Sequence, residues 1–158
     1  DQTSPLGCVF AELRANAGYG YEGSTHIPFS TDFYDDSEAG PSKENLLKLA
    51  SGFGGGISRC REVCGVISGA TIVLSLMYGY MTPETGEIKA QHYARVQEIV
   101  KNFKTQFNYI TCYELLGKSR GIEEPKPTPR TAEFYASRPC KNYIKGMINI
   151  MADYILEN

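Results

Sequence analysis

The residues with the most chemistry in this 158-residue chain are five cysteines: Cys8, Cys60, Cys64, Cys112 and Cys140. A chain of this length buries enough apolar surface to fold without disulfide staples, so the cysteines need another reason. Thiolates attack disulfides, and they bind soft metals and iron–sulfur clusters. Five is odd, so at least one thiol is left out of any set of internal disulfides. Spacing removes several uses. The chain has no C-x-x-C, which excludes the thioredoxin pair and the zinc ribbon, and no C-x-x-C-H to attach a haem. Cys60 and Cys64 form C-x-x-x-C, which inside a helix would put both sulfurs on one face. Taken singly, each cysteine reads equally well as a small buried hydrophobe.

What sets the group apart is where the helices begin. Ser4-Pro5 opens a helix over residues 1–17 with Cys8 in its first turn. Ser42 opens a second that stops at Gly52, and Ser58 is expected to cap a long uncharged helix ending near Gly79, with Cys60 in its first turn and Cys64 one turn on. Thr82-Pro83-Glu84 starts another, on which Ile88, His92, Val96, Ile99, Phe103 and Phe107 recur as an apolar stripe. Thr111-Cys112-Tyr113-Glu114 has the form of a capping box, and Pro139-Cys140 opens the last helix, whose face is Ile144, Met147, Ile148, Met151 and Ile155. Four of the five cysteines thus fall at expected helix N-termini. There the unpaired N–H groups favour thiolate and would favour a thiolate-bound cluster. Residues 18–41, rich in Gly and Tyr, read as a packed loop, and 118–138, with Pro125, Pro127 and Pro129, as an extended surface connection. No strand alternation appears. The expectation is an all-α fold, a compact multi-helix bundle in one domain over residues 1–158.

Three further residues are candidates for cofactor contact. Gly55 and Gly56 lie in the run Phe53-Gly54-Gly55-Gly56, which lacks the lysine and hydroxyl of a phosphate loop and reads as a turn or as room for close approach. His92 on the apolar stripe is a core histidine in the plainer reading and a metal or haem ligand in the sharper one. His26 sits in the early loop and is expected to face solvent. Gly65 and Gly69 share a helix face and let a neighbouring backbone come close.

Charge and hydropathy bound the partners. Lys plus Arg is 16 and Asp plus Glu is 18, a net charge of −2, so there is no basic excess for nucleic acid. The uncharged run from Val63 to Pro83 is long enough to cross a bilayer, but its glycines, serines and threonine make a buried helix the better reading and argue against a membrane span. The sequence starts at Asp1, with no leader peptide to read, which leaves the compartment open between exported and cytoplasmic.

Phe53-Gly54-Gly55-Gly56, Glu62-Val63-Cys64-Gly65 and Ser68-Gly69-Ala70 together resemble the C_GCAxxG_C_C (CGAxxG) family of redox-active proteins, which is marked by four cysteines. Cys112-Tyr113-Glu114-Leu115-Leu116-Gly117 is similar to its third-cysteine segment, Pro139-Cys140 to its fourth, and Gly7-Cys8 to its first. Two departures stand out: Val66 takes the place of the motif's alanine, and Cys60 is an addition. Split-Soret cytochromes look like distant haem-bearing relatives, without their covalent haem motif being present here. The resemblance implies a small all-α protein whose cysteines are redox-active or hold an iron–sulfur cluster. On that reading Cys64, Cys112 and Cys140 are ligands, Cys8 is the fourth and Cys60 its competitor. The partners are then a redox protein and, where a cluster bridges two chains, a second copy in a homodimer. Metal-free thiol–disulfide chemistry and an exported domain held by two disulfides are the alternatives.

Overall fold

The uncharged run of the sequence becomes the central helix of the protein. The structure, a computed structural model, describes residues 48–83, 86–129 and 131–158. Helix α1, Gly65–Tyr78, carries no charge and buries Gly65, Val66, Ile67, Gly69, Ala70, Val73 and Leu74. Its small residues let two long amphipathic helices close on it. Helix α2, Gly86–Phe107, places Glu87 in its first turn and Lys104 in its last, as the helix dipole favours, and buries His92, Ile99 and Phe103. Helix α5, Cys140–Glu157, buries Gly146, Met147, Ile148, Met151, Ala152 and Tyr154. The three pack pairwise on one another. Phe103, Leu74, Ile99, Met147 and Val66 are the largest fully buried side chains between them. At one end the rings of Phe103 and Phe107 lie 4.7 Å apart and those of Phe107 and Tyr143 5.0 Å apart. Gly146 lets α5 meet α2 there, since a Cβ at that position would lie 2.4 Å from the Phe107 ring.

The all-α expectation holds: among the described residues the only β feature is an isolated antiparallel bridge between Val63 and Thr111. No helix among them is long and apolar enough to cross a membrane. Two short helices complete the set, α3 at Cys112–Leu115 and α4 at Ala132–Ala136. Several boundaries differ from the sequence reading. Helix α1 starts at Gly65 and not after Ser58, because a left-handed turn occupies the intervening residues. Helix α4 interrupts the expected extended connection, with Thr131 Oγ1 accepting from the Phe134 N–H at 3.2 Å. Helical residues 48–50 run into a 3-10 turn, Ser51–Phe53, near the expected stop at Gly52. The expected helix over 1–17, the loop 18–41, the start at Ser42, and with them Cys8 and His26, lie outside the described residues.

Candidate redox site

A turn of unusual hand precedes α1. Gly55 and Gly56 have φ of 68° and 69°, and the left-handed path continues through Ile57, Ser58 and Arg59 and returns at Arg61. Only glycine takes this conformation freely; each other residue costs about 1–2 kcal/mol. Long-reach backbone bonds hold it, Ser58 N–H to Gly52 O at 2.9 Å and Glu62 N–H to Gly56 O at 3.1 Å. The Ser58 hydroxyl donates to the same Gly52 carbonyl at 3.0 Å, so it closes the turn and caps no helix. Cys60 therefore sits half-buried in the turn. Cys64, expected one turn inside the helix, is its N-cap residue. The two cysteines do not share a helix face.

The bridge joins this segment to α3. Cys64 N–H donates to Ile110 O at 2.9 Å, Cys112 N–H to Glu62 O at 2.6 Å, and Tyr113 N–H to Arg61 O at 3.0 Å. Cys112 is the first residue of α3, with Thr111 at its N-cap, though the Thr111 hydroxyl donates to the Glu114 carboxylate and not in the reciprocal pattern of a capping box. The helix stops in a Schellman motif, Lys118 N–H to Tyr113 O at 2.8 Å and Gly117 N–H to Glu114 O at 3.0 Å, with Gly117 at φ 62°. Cys140 opens α5 behind Pro139. The Tyr143 hydroxyl, one turn along, donates to Leu115 O at 2.8 Å and ties α5 to α3. Cys64, Cys112 and Cys140 thus stand at three helix starts on one end of the bundle. All four described cysteines are free thiols. Gly56 closes on this group: a Cβ there would lie 2.6 Å from the Cys112 Cβ and 2.8 Å from Glu62 O.

Burial decides the ionisation of Cys64 and Cys140. It pushes Cys64 up to about 12, and charge on Cys112 and Cys140 adds to the rise. It raises Cys140 as well, with Cys112 adding and Arg138 opposing. The thiolate-favouring effect expected of helix starts is outweighed at both residues by loss of water. Charge on Cys112 bears on both, which puts the three in one electrostatic neighbourhood.

Beside them lies a charged cluster whose assembly cannot be seen in the sequence. Arg61 is 3% exposed. Its Nη1 donates to Cys112 Sγ at 3.5 Å and its Nη2 to Glu123. Glu123 also accepts from Arg59 Nη2 at 2.9 Å and Lys118 Nζ at 2.7 Å. These donors, Arg61 first and Lys118 next, hold the Glu123 carboxyl down at about 2. Arg61 Nε is buried with no acceptor among the described residues.

The remaining candidates separate. Gly56 faces Cys112, whereas Gly55 packs against Arg59, whose backbone N would be 3.1 Å from a Cβ. His92 is buried with Nε2 3.0 Å from Ser75 Oγ, its ring edge-on to Tyr80 at 6.1 Å. It lines an open cleft of about 530 Å³ with Thr71, Tyr80 and Tyr93. Ser75 lies about 15 Å along α1 from Gly65 at a helical rise of about 1.5 Å per residue, so His92 belongs to the other end of α1 from Cys64.

A family model described as "Putative redox-active protein (C_GCAxxG_C_C)" matches residues 32–154. The chain belongs to this family. No curated protein and no solved structure matches it. The matched stretch holds four cysteines, Cys60, Cys64, Cys112 and Cys140, the number in the family's motif, and leaves Cys8 outside. Val66, in the place of the family's alanine, is 1% exposed on α1, where its extra methyl groups fill core. Among the described residues no three His, Cys, Asp or Glu side chains converge as ligands of a single ion. A four-iron cluster asks for less convergence, since there each thiolate binds its own iron. For such a group the donor chemistry fits: thiols at three helix starts and a buried guanidinium with an unused donor.

Proposed function

We propose that the redox activity of the family is carried in this chain by an iron–sulfur cluster held by Cys64, Cys112 and Cys140, with Cys60 as the fourth ligand. The observation that carries the reading is the placing of Cys64, Cys112 and Cys140 at three helix starts on one end of the bundle, with Gly56 packed on Cys112. Only a residue without a side chain lets the left-handed turn pack this closely on Cys112 and Glu62. A bound cluster supplies one-electron chemistry. The chain's own residues supply thiolate donors, N–H groups at the helix starts, and burial that keeps water off the sulfurs. The extent of the family match supports Cys60 over Cys8 as the fourth, and on this reading Cys8 is the odd cysteine.

Burial favours this over metal-free thiol–disulfide exchange. A resolving pair needs a thiolate near neutral pH, whereas Cys64 and Cys140 are held protonated until a positive centre offsets their desolvation. Anaerobic purification with iron and sulfide counts per chain tests the proposal. The expected result is a coloured protein that loses most of its iron in Cys64→Ser and Cys112→Ser but keeps it in Cys8→Ser. A colourless, iron-free wild type overturns it.

A further inference from the structure

We infer that Arg61 is a positioning residue of the redox site: its guanidinium, bonded to Cys112 Sγ, raises the reduction potential of the centre, and Glu123 sets how much of that charge the sulfur feels. The inference rests on the cluster reading above and deepens it.

Arg61 is the most buried of the three cations that hold Glu123. It is a charged side chain, 3% exposed, with Nε lacking an acceptor among the described residues, on a backbone at φ 62°. A buried charge with an unfilled donor is destabilising, and so is left-handed backbone at a residue bearing a Cβ. Arg59, which also pairs with Glu123, shares the left-handed backbone at φ 70° and a buried Nε with no acceptor among the described residues, so burial and the sulfur contact are what single out Arg61. Arg59 and Lys118 already hold that carboxylate from more exposed positions, with 23% and 39% of their side chains accessible. What Arg61 adds is the bond to Cys112 Sγ.

That bond has an electrostatic consequence. Taking up one electron from a low-potential one-electron donor adds a unit of negative charge beside Cys112, and no bond need form or break. A fixed positive charge and an N–H to the ligand sulfur stabilise the reduced form. Glu123, on the far side of the same guanidinium, carries the opposite charge and has the opposite effect.

The test is a dye-mediated potential titration of anaerobically prepared wild type, Arg61→Gln, Arg61→Lys and Glu123→Gln, with iron and sulfide counted in each. Arg61→Gln is expected to lower the midpoint by at least tenfold in the reduced-to-oxidised ratio, about 59 mV for one electron. Arg61→Lys should recover part of the loss, and Glu123→Gln should raise the midpoint. A merely structural Arg61 would move both charge variants the same way, through loss of fold or iron, and that outcome overturns the inference. So do midpoints that stay put at full iron content. If Arg61→Gln does not fold, the sign of the Glu123→Gln shift decides alone. An iron-free wild type overturns the cluster reading and the inference with it, and the iron count tells that failure from the others.

Discussion

At Gly56 two separate constraints meet on one residue. Its φ of 69° disfavours any side chain, and a Cβ would fall 2.6 Å from the Cys112 Cβ and 2.9 Å from Glu62 N. Gly117 isolates the first constraint, with φ 62° and nothing within 4 Å of a Cβ. Gly117→Ala should therefore cost only the left-handed penalty, about 1–2 kcal/mol. Gly56→Ala should cost roughly 2–4 kcal/mol, because overlap adds to strain. Urea denaturation of the two variants checks this, and equal losses would remove Gly56 from the cysteine site. The glycine run was legible as a place of close approach, and so were Cys112 and Cys140 as helix starts, because Thr111 and Pro139 mark the starts, even though the Thr111 hydroxyl goes to Glu114 and caps no backbone N–H. Ser58 carries the same chemistry, but its hydroxyl closes the left-handed turn instead, and Cys64 inherits the cap. Arg61 and Glu123 could not be paired from sequence. They are 62 positions apart, and each taken alone reads as a surface charge.

The helices were more legible than their neighbourhoods, because periodicity reports which face is apolar but not how far a partner helix reaches along it. On α2 the stripe of six read from spacing is correct in direction, yet Phe103 and Ile99 are 0% exposed while Ile88 is 48% exposed near the open end. The difference has an energetic consequence. Phe103→Ala leaves a cavity among α1, α2 and α5 and should cost about 3–5 kcal/mol. Ile88→Ala, on the same stripe four turns earlier, should cost less than about 1 kcal/mol. Thermal unfolding of both variants measures it; a large loss at Ile88 would mean that the start of α2 is covered by something the described residues do not include. The short helix α4 was missed for the opposite reason. The prolines at 125, 127 and 129 do forbid helix through 129, but Thr131 starts a new one immediately beyond.

Across the molecule, charge adds to apolar packing at the cysteine end of the bundle. Glu123 joins the 118–129 connection to the left-handed turn through Arg59 and Arg61, and Arg120 pairs with Glu62 at 3.0 Å on the same side. The carboxyl of Glu123 is lowered from the ordinary 4.5 to about 2. A group whose folded value is depressed stabilises the protein above its unfolded value, and that contribution disappears as pH falls through the folded one. The window is therefore from about pH 4.5 down to about pH 2. The full shift would correspond to roughly 3 kcal/mol, but the side chain is 28% exposed and solvent screens it, so a contribution of about 1–2 kcal/mol is expected. Wild type should exceed Glu123→Gln in stability by that amount at pH 7, and the two should converge by pH 2. Denaturant unfolding of both chains across this range, in the presence of a chelator, measures the difference. A gap that persists unchanged at pH 2 would show that the carboxylate's charge is not what holds the connection to the turn.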